Sequence, residues 1–219
     1  MRERVSCNAG GTDILVTGAN GFIGRGLILV LLARDRRLRC LYRRPLKNAL
    51  SGVTTVIGDL LQAETLDPAL EGIDTVYYLV HSLAAGRDRF RALDRQAAEN
   101  FVAAANTAGV RRVIYLSGLG ENDRQLSDHL SSRGEVAKIL GQGQFLTTTL
   151  RAAIILGAGG ASFELLRYLV KTQPLLPDSP QLDTFCQPIA LNDVLHFLAA
   201  ASTKNAPPAA PSTSAAPKW

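Results

Sequence analysis

Long hydrophobic runs are missing from the 219-residue sequence. The longest uninterrupted apolar segment, Leu27 to Ala33, is far shorter than the roughly 20 residues that cross a bilayer. The charges within Met1 to Gly11 are not followed by the apolar stretch of a secretion signal. We therefore expect the protein neither to span a membrane nor to be secreted. Residues 1–11 are expected to form a flexible amino terminus.

Cysteine is scarce and unclustered. Cys7, Cys40 and Cys186 are odd in number and widely spaced, with no Cys-x-x-Cys pair and no histidine at metal-ligand spacing. The pattern therefore predicts neither a disulfide framework nor a metal site. Reduced thiols are typical of the cytoplasm, which is the expected location.

Aromatic residues make up only 6% of the chain, although its formal net charge is +5. Excess positive charge attracts nucleic acid, anionic membranes or phosphorylated small molecules, and the net charge alone does not identify which of these is the partner. The arginines form three groups, at residues 34–44, 87–95 and 111–112, without the repeated aromatic residues of a base-stacking platform. We therefore expect no nucleic-acid partner.

The sequence does contain a regular alternation of short β-branched apolar runs and longer helical patterns. This alternation is typical of successive βαβ units and predicts an α/β fold, a doubly wound parallel sheet. It extends over residues 12–202, which we expect to form one domain with a reduced carboxyl-terminal substrate region. Residues 203–219 are rich in Ala, Pro and Ser, a composition that predicts a disordered tail.

The predicted elements follow from apolar periodicity and from glycine or proline boundaries. Strands are expected at 13–17, 39–42, 54–57, 75–80, 112–116 and 145–150, the second to fourth being short enough to lie inside the sheet. Helices are expected at 22–33, 64–70, 88–108, 131–140 and 162–171, before a closing segment at 189–201. His196, among apolar neighbours in that segment, is expected to lie in the core.

A glycine-rich turn, GANGFIG, directly follows the first strand and opens the first helix. Gly18 permits a tight turn, Gly21 lets a pyrophosphate approach the backbone amides, and Gly24 lets the helix pack closely on the sheet. The helix amino terminus then offers unpaired donors and partial positive charge to phosphate. The alternative is that the glycines serve only tight packing. We expect a nicotinamide dinucleotide to bind here, at Gly18, Asn20, Gly21, Phe22, Ile23 and Gly24.

The end of the second strand carries two arginines in place of an acid. NAD sites usually place Asp or Glu here to accept a hydrogen bond from the ribose hydroxyl, whereas this chain has Arg43 and Arg44. Two guanidinium groups suit the 2′-phosphate of NADP through charge-assisted hydrogen bonds. We therefore predict NADP, with NAD as the alternative, unless the arginines simply solvate the strand end.

Polar residues also follow the third and fourth strands. Asp59 and Leu60 come after the third strand, where Asp59 either accepts a hydrogen bond from the adenine amino group or serves as an ordinary turn residue. His81 follows the fourth strand, where the cofactor is expected to pass. It either lines the nicotinamide side, as a second candidate acid, or is a partly buried histidine bonded to backbone.

Together these residues resemble the short-chain dehydrogenase/reductase superfamily, and more narrowly its atypical, NmrA-like members, which bind NAD(P). The resemblance covers about Asp13 to Ala201. The motifs of the superfamily are TGANGFIG at 17–24, Gly58-Asp59-Leu60, VRRVIYLS at 110–117 and QPIA at 187–190, which leads to Asp193-Val194. The segment LSSRGEV at 130–136, together with LRAAI at 150–154, resembles one atypical subgroup, in which an extra lipid-binding-type domain often follows.

The superfamily's chemistry, as the resemblance implies, uses a Ser or Thr after the fifth strand and a Tyr-x-x-x-Lys pair on the next helix. Ser117 matches the first position, but none of the 5 tyrosines has a lysine four residues later. Alignment by the helix places His129 at the tyrosine position and Arg133 at the lysine position, one helical turn apart. Ser117, His129 and Arg133 are therefore the candidate catalytic residues.

Each candidate has a second interpretation. His129 either transfers a proton or lies at a helix start, and Ser117 either binds a substrate carbonyl or caps the loop at 118–120. Arg133 is expected to bind the nicotinamide ribose or a phosphate.

Two functions from different classes are consistent with these residues. The first is an NADP(H)-binding oxidoreductase acting on a small apolar carbonyl or quinone-type substrate, with residues 163–169 as an apolar wall. The second is an NmrA-like sensor or assembly factor that binds the dinucleotide and a protein partner without turnover. A sugar-nucleotide epimerase has the same fold but depends on the missing tyrosine.

Overall fold

The computed structural model of the chain describes residues 13–46, 48, 50–81, 89–119, 128–172 and 187–202, and for residues 128 and 129 it describes the backbone alone. The predicted flexible amino terminus and the predicted tail at 203–219 lie outside the described residues. Within these ranges the chain forms a six-stranded parallel sheet and a separate pair of short parallel strands.

The strands of the sheet are β1 (Ile14–Val16), β2 (Leu38–Tyr42), β3 (Val53–Ile57), β4 (Thr75–Tyr78), β5 (Arg112–Gly118) and β6 (Leu146–Ala152). They stand in the order β3-β2-β1-β4-β5-β6 and are parallel throughout. The chain therefore adds strands outward from β1 to one side and then returns to add β4, β5 and β6 on the other.

Helices cover both faces of this sheet, which confirms the predicted doubly wound α/β fold. The helices are α1 (Phe22–Leu32), α2 (Asp67–Leu70), α3 (Phe90–Thr107), α4 (Asp128–Leu140), α5 (Ala161–Thr172) and α6 (Leu191–Ala201), with a 3-10 turn at Ala63–Thr65. One core cluster packs β1, β4 and β5 against α2, α3 and α4, and the other packs the opposite face against α1 and α6.

The first and last helices pack against each other. Gly26 of α1 faces Leu195 of α6 so closely that a Cβ on Gly26 would lie 2.7 Å from a Leu195 methyl carbon. Beneath them, the hydroxyl of the buried Tyr77 on β4 donates a hydrogen bond of 2.9 Å to the carbonyl of Leu198. Segments far apart in the sequence thus complete this face of the core.

Two expectations about individual elements are wrong, and one pair of strands was missed. The third strand, predicted to lie inside the sheet, is the edge strand β3, and its Thr54, Thr55 and Ile57 are exposed. His196 is exposed rather than in the core, because the inward face of α6 is formed by Val194, Leu195, Leu198 and Ala199. Helical geometry turns positions 196 and 197 away from that face. The pair β7 (Ile155–Leu156) and β8 (Ile189–Ala190) was not predicted.

Helix α5 differs from the other long helices in having no buried residue. Its apolar side chains at Leu165, Leu166, Tyr168 and Val170 are 58%, 43%, 62% and 75% exposed. The apolar wall expected at 163–169 is therefore a largely exposed helix face. Within the described ranges, no helix combines the length and apolar character that crossing a membrane requires.

Candidate functional site

A cleft of about 530 Å³ lies at the carboxyl ends of the first four strands. The strand order reverses between β1 and β4, and in open α/β sheets ligands bind at that switch point. The described residues that line the cleft are Gly18, Ala19, Asn20, Gly21, Leu41, Tyr42, Arg43, Gly58, Asp59, Leu60, Leu61, Leu79, Val80, His81, Leu93 and Ala97.

The glycine-rich turn forms the floor of the cleft. Gly18 has φ +66°, a left-handed conformation that suits glycine, and a Cβ there would lie 2.5 Å from the carbonyl oxygen of Leu79. A Cβ on Gly24 would collide with the carbonyl oxygen of Gly18. Both positions therefore need glycine for α1 to start this close to β1 and β4.

Thr17, just before the turn, joins β1 to β4. Its buried hydroxyl donates to the carbonyl of Tyr77 at 3.0 Å and accepts from the amide of Leu79 at 3.1 Å. The hydrogen bonds hold the two strand ends together directly below Gly18. Thr17 was quoted in the sequence motif but was not predicted as a functional residue.

The amino terminus of α1 opens onto the cleft without a capping side chain. Gly21 is its N-cap residue and forms no side-chain cap, and the first turn contains no acidic residue. Because the first amides of a helix have no intrahelical acceptor, they remain available to an anion. Asn20 and Gly21 line the cleft, whereas Ile23 packs into the core beneath α1. The ring of Phe22 lies near Gly157 and Gly160 instead, where a Cβ on Gly157 or Gly160 would lie 3.0 or 2.9 Å from it.

The turn after β3 is held by its own hydrogen bonds. The Thr65 hydroxyl accepts from the Asp59 amide at 2.9 Å, and one carboxylate oxygen of Asp59 accepts from the Leu61 amide at 3.0 Å. Asn100 of α3 donates to the carbonyl of Leu60 at 2.9 Å. Asp59 thus has a turn role, with Oδ1 engaged, while it lines the cleft.

The end of β2 supplies an aromatic ring and a cation. Tyr42 lines the cleft from a buried position, and burial raises its pKa to about 12, assisted by its hydrogen bond with Cys40 and opposed by the charge of Arg25. Arg43 lines the cleft with an exposed side chain. Arg44 is also exposed but lies outside the lining.

The end of β4 carries a polar cluster that sequence reasoning recognised only in part. His81 lines the cleft, and its Nδ1 lies 3.4 Å from Oδ2 of Asp94 on α3. The same Oδ2 accepts a hydrogen bond of 3.1 Å from the hydroxyl of Ser132 on α4. Asp94 and Ser132 are 5% and 1% exposed. Neither was predicted, although a carboxylate in the middle of an apolar helix face was the available signal.

Two of the predicted catalytic residues, Ser117 and Arg133, are not among the described residues that line the cleft. Ser117 is buried at the end of β5 and its side chain hydrogen-bonds with the hydroxyl of Tyr115. Arg133 donates from Nη1 to the carbonyl of Leu116 at 3.1 Å, so it fastens α4 to β5. The backbone of His129 lies in the first turn of α4, and its side chain is outside the described residues.

Burial shifts the pKa values of Tyr115 and Arg133. Desolvation raises the pKa of Tyr115, against the opposing effects of the Arg133 charge and of the hydrogen bond with Ser117. Burial likewise lowers the pKa of Arg133, although Tyr115 and Asp94 oppose that shift. A buried phenol therefore stays protonated here at neutral pH.

Seven of the predicted cofactor residues lie together in the cleft: Gly18, Asn20, Gly21, Arg43, Asp59, Leu60 and His81. The other four lie outside the lining. Gly24 allows the close approach of α1, Phe22 and Ile23 pack away from the cleft, and Arg44 is at the surface. The predicted cofactor residues that line the cleft thus all follow one of the first four strands.

A comparison with protein-family models gives a match over residues 18–153, to a family described as NAD(P)H-binding. The matched segment starts at the first glycine of the turn and ends just after β6. It includes the described residues that line the cleft.

Curated proteins of several kinds each resemble about half of the chain. A 3-beta-hydroxysteroid dehydrogenase of Mycolicibacterium neoaurum is 34% identical over 112 residues, which are 47% of this chain and 31% of the relative. The photosystem II assembly factor Ycf39 of Synechocystis is 31% identical over 107 residues, 48% of this chain and 33% of the relative. The matches thus extend over about a third of the length of these relatives.

Solved structures share the fold at low sequence identity. The Bordetella bronchiseptica enzyme WbmG, in complex with NAD and UDP, superimposes with a TM-score of 0.74 at 18% identity, covering 91% of this chain and 71% of that one. A nucleoside-diphosphate-sugar epimerase from Staphylococcus aureus gives a TM-score of 0.72 at 20% identity, with 87% and 66% coverage. These likenesses concern the architecture of the sheet and its helices.

Proposed function

The chain belongs to the NAD(P)H-binding family, as an atypical short-chain dehydrogenase/reductase with a Rossmann fold. On that premise, we propose that it is an NADP(H)-dependent oxidoreductase. Its proposed substrate is a small apolar carbonyl or quinone-type molecule. The observation that carries the proposal is the uncapped amino terminus of α1, opening onto a cleft at the β1/β4 switch point.

The residues present fit a nicotinamide dinucleotide. The crowded glycines Gly18 and Gly24 bring the first turn of α1 to the mouth of the cleft, where its amides suit a pyrophosphate. Asp59 and Leu60 line the adenine side of the cleft in this assignment, and Val80 and His81 line the nicotinamide side. When bound, the dinucleotide supplies or accepts a hydride, while the chain orients it and controls access of water.

The preference for NADP rests on the end of β2. Arg43 lines the cleft where NAD sites usually have an acid, and Arg25 on α1 is near enough to act electrostatically on the neighbouring Tyr42. A guanidinium binds a 2′-phosphate by charge-assisted hydrogen bonds.

Fluorescence titration with NADPH and NADH tests this preference. Arg43→Ala is expected to weaken NADPH binding by about 10-fold or more, because a hydrogen bond to a charged group contributes about 1.5–3 kcal/mol. Binding of NADH should change by less than about twofold. Arg44→Ala, outside the lining, is the matched control. Equal affinity of the unsubstituted protein for both dinucleotides would remove the basis of the preference.

The apolar substrate class rests on the character of the surfaces beyond the cleft. Helix α5 presents exposed Leu165, Leu166 and Tyr168, and a similar relative is named for a steroid substrate. Spectrophotometric NADPH oxidation with a panel of quinones and aldehydes tests the activity. Turnover of at least one apolar acceptor supports it.

A non-catalytic binding protein is the second candidate, favoured by the absence of a Tyr-x-x-x-Lys pair from the sequence. A relative named as a photosystem II assembly factor, Ycf39, is consistent with such a role in the family. Tight NADPH binding without turnover on any acceptor would support this candidate over the oxidoreductase.

A further inference from the structure

A buried carboxylate on α3 connects three separate elements at the inner end of the cleft. Oδ2 of Asp94 lies 3.4 Å from Nδ1 of His81, which follows β4, and accepts the hydroxyl hydrogen bond of Ser132 on α4. Leu93 and Ala97, its helix neighbours, line the cleft. The cluster is therefore part of the cleft wall.

Burying this carboxylate has an energetic cost that its position must offset. Asp94 is only 5% exposed, and removing a charged group from water is unfavourable unless hydrogen bonds and an opposite charge compensate. A leucine or alanine would complete the helix face without that cost. The carboxylate is thus better explained by what it orients than by the packing of α3 on α4.

His81 is the ionisable side chain that the described cleft presents on the β4 side of the switch point. The other ionisable residues of the described lining, Tyr42, Arg43 and Asp59, belong to the ends of β2 and β3. The glycine turn lies between the two sides, so a dinucleotide with its pyrophosphate there extends its nicotinamide toward β4. The His81 side chain is 17% exposed, which gives its ring access to the cleft.

We propose that His81 exchanges a proton with the substrate and that Asp94 is its positioning residue, with Ser132 fixing the carboxylate. This inference rests on the proposed oxidoreductase function and assigns the role left open by the missing tyrosine. Ser117 and Arg133 then support the wall, through their bonds to Tyr115 and to the Leu116 carbonyl.

The proton balance of the reduction is simple. When bound, a dinucleotide would supply a hydride to the carbonyl carbon. The π electron pair of the carbonyl would move to its oxygen, and the imidazolium of His81 would give its proton to that oxygen. The neutral ring would then take up one proton from the bulk solvent, so that each reduction consumes one hydride and one proton. The Asp94 carboxylate keeps Nδ1 protonated and the ring oriented throughout, without changing its own protonation.

Steady-state kinetics of the full chain, with NADPH and either cyclohexanone or benzaldehyde, test the proposal. His81→Gln keeps a polar side chain that cannot carry the proton, and should lower kcat about 100-fold or more, with the NADPH dissociation constant within about twofold. Asp94→Asn keeps the shape and should lower kcat about 10-fold. His196→Gln on α6 and Glu99→Gln on α3, both exposed, are the controls and should retain the unsubstituted rate.

The positioning role of Asp94 can be measured without enzyme turnover, from the protonation and orientation of the His81 ring. A ¹H–¹⁵N correlation spectrum of the imidazoles, with the His81 signal identified by its loss in His81→Gln, should show the proton on Nδ1 in the free protein. Asp94→Asn should move or broaden that signal, while the thermal unfolding midpoint monitors the fold. A signal unchanged in Asp94→Asn would overturn the positioning role.

Failure of the two proposals is distinguishable. If the unsubstituted protein binds NADPH but reduces neither acceptor, the proposed function fails, and His81 has no substrate proton to exchange. If the unsubstituted protein and His81→Gln turn over at rates within about twofold, the oxidoreductase function stands and this inference alone is overturned.

Discussion

The cleft and the region around α5 are built in opposite ways. At the cleft, the glycine turn is so crowded that a Cβ on Gly18 would lie 2.5 Å from a backbone oxygen. Around α5, Gly159 also has a positive φ, of +83°, yet a Cβ there would meet nothing within 4 Å. We call residues 155–172 and the outward face of α6 the open region.

This difference indicates that backbone geometry specifies the glycine turn at the cleft but not the open region. A pyrophosphate is the same in every dinucleotide, so close-packed amides recognise it, and the packing leaves little freedom to the side chains. The open region instead presents Leu165, Leu166, Val170 and Phe197, with exposures between 43% and 75%. Side-chain variation there is expected to cost the fold little.

The largest expected effect contrasts the two glycines. Gly18→Ala should weaken NADPH binding about 100-fold, because it adds a collision with the Leu79 carbonyl to about 1–2 kcal/mol of left-handed strain. Gly159→Ala carries the strain alone and should leave NADPH affinity within about twofold. Fluorescence titration and thermal unfolding of both variants measure this. Equal loss of affinity would show that crowding does not distinguish the regions.

The next effect compares neighbouring residues on the two faces of α6. Leu198→Ala, at a side chain 0% exposed, should lower the free energy of unfolding by about 2–5 kcal/mol. Phe197→Ala, at 60% exposed, should change it by less than about 0.5 kcal/mol. Urea unfolding curves give both values. A large loss in Phe197→Ala would mean that the open region is covered in solution.

The smallest effect concerns stability at high pH. Burial raises the pKa of Tyr77 to about 12, whereas tyrosine in an unfolded chain ionises near about 10. The folded state thus keeps a proton that the unfolded state loses, so stability is full below about pH 10 and falls toward pH 12. The contribution of this one group is about 2–3 kcal/mol.

Tyr77→Phe should flatten this alkaline fall, and the exposed Tyr168→Phe of α5 should leave it unchanged. Unfolding free energies between pH 8 and pH 12 test the expectation, with the values of Tyr77→Phe compared at each pH with its own value at pH 8. An identical slope in the unsubstituted protein and in Tyr77→Phe would contradict it.

Local patterns predicted much of the fold. The spacing Gly18, Gly21 and Gly24 located the turn between β1 and α1, because the conformation and the close approach both require glycine at set positions. Predicted helix boundaries at 22–33 and 131–140 compare with Phe22–Leu32 and Asp128–Leu140. The two-residue strands β7 and β8 were missed, since they depend on the pairing of Ile155 with Ile189 and not on a local signal.

The candidate site could be predicted only where it is formed by strand ends. Gly18, Arg43, Asp59 and His81 each follow a strand, and parallel strands bring their carboxyl ends together. Asp94 and Ser132 lie on different helices, 38 positions apart, so their meeting depends on how α3 packs on α4. The periodicity of the sequence within α3 or α4 does not predict the 3.1 Å hydrogen bond between these two side chains.

The contact between α1 and α6 has a consequence for synthesis on the ribosome. One core cluster is completed by Val194, Leu195, Leu198 and Ala199, and Tyr77 bonds to Leu198 across 121 positions. Until α6 has emerged from the exit tunnel, Gly26 of α1 lacks the Leu195 side chain that packs against it in the folded protein. Such late, long-range closure slows folding and leaves the nascent chain exposed to aggregation or chaperone binding.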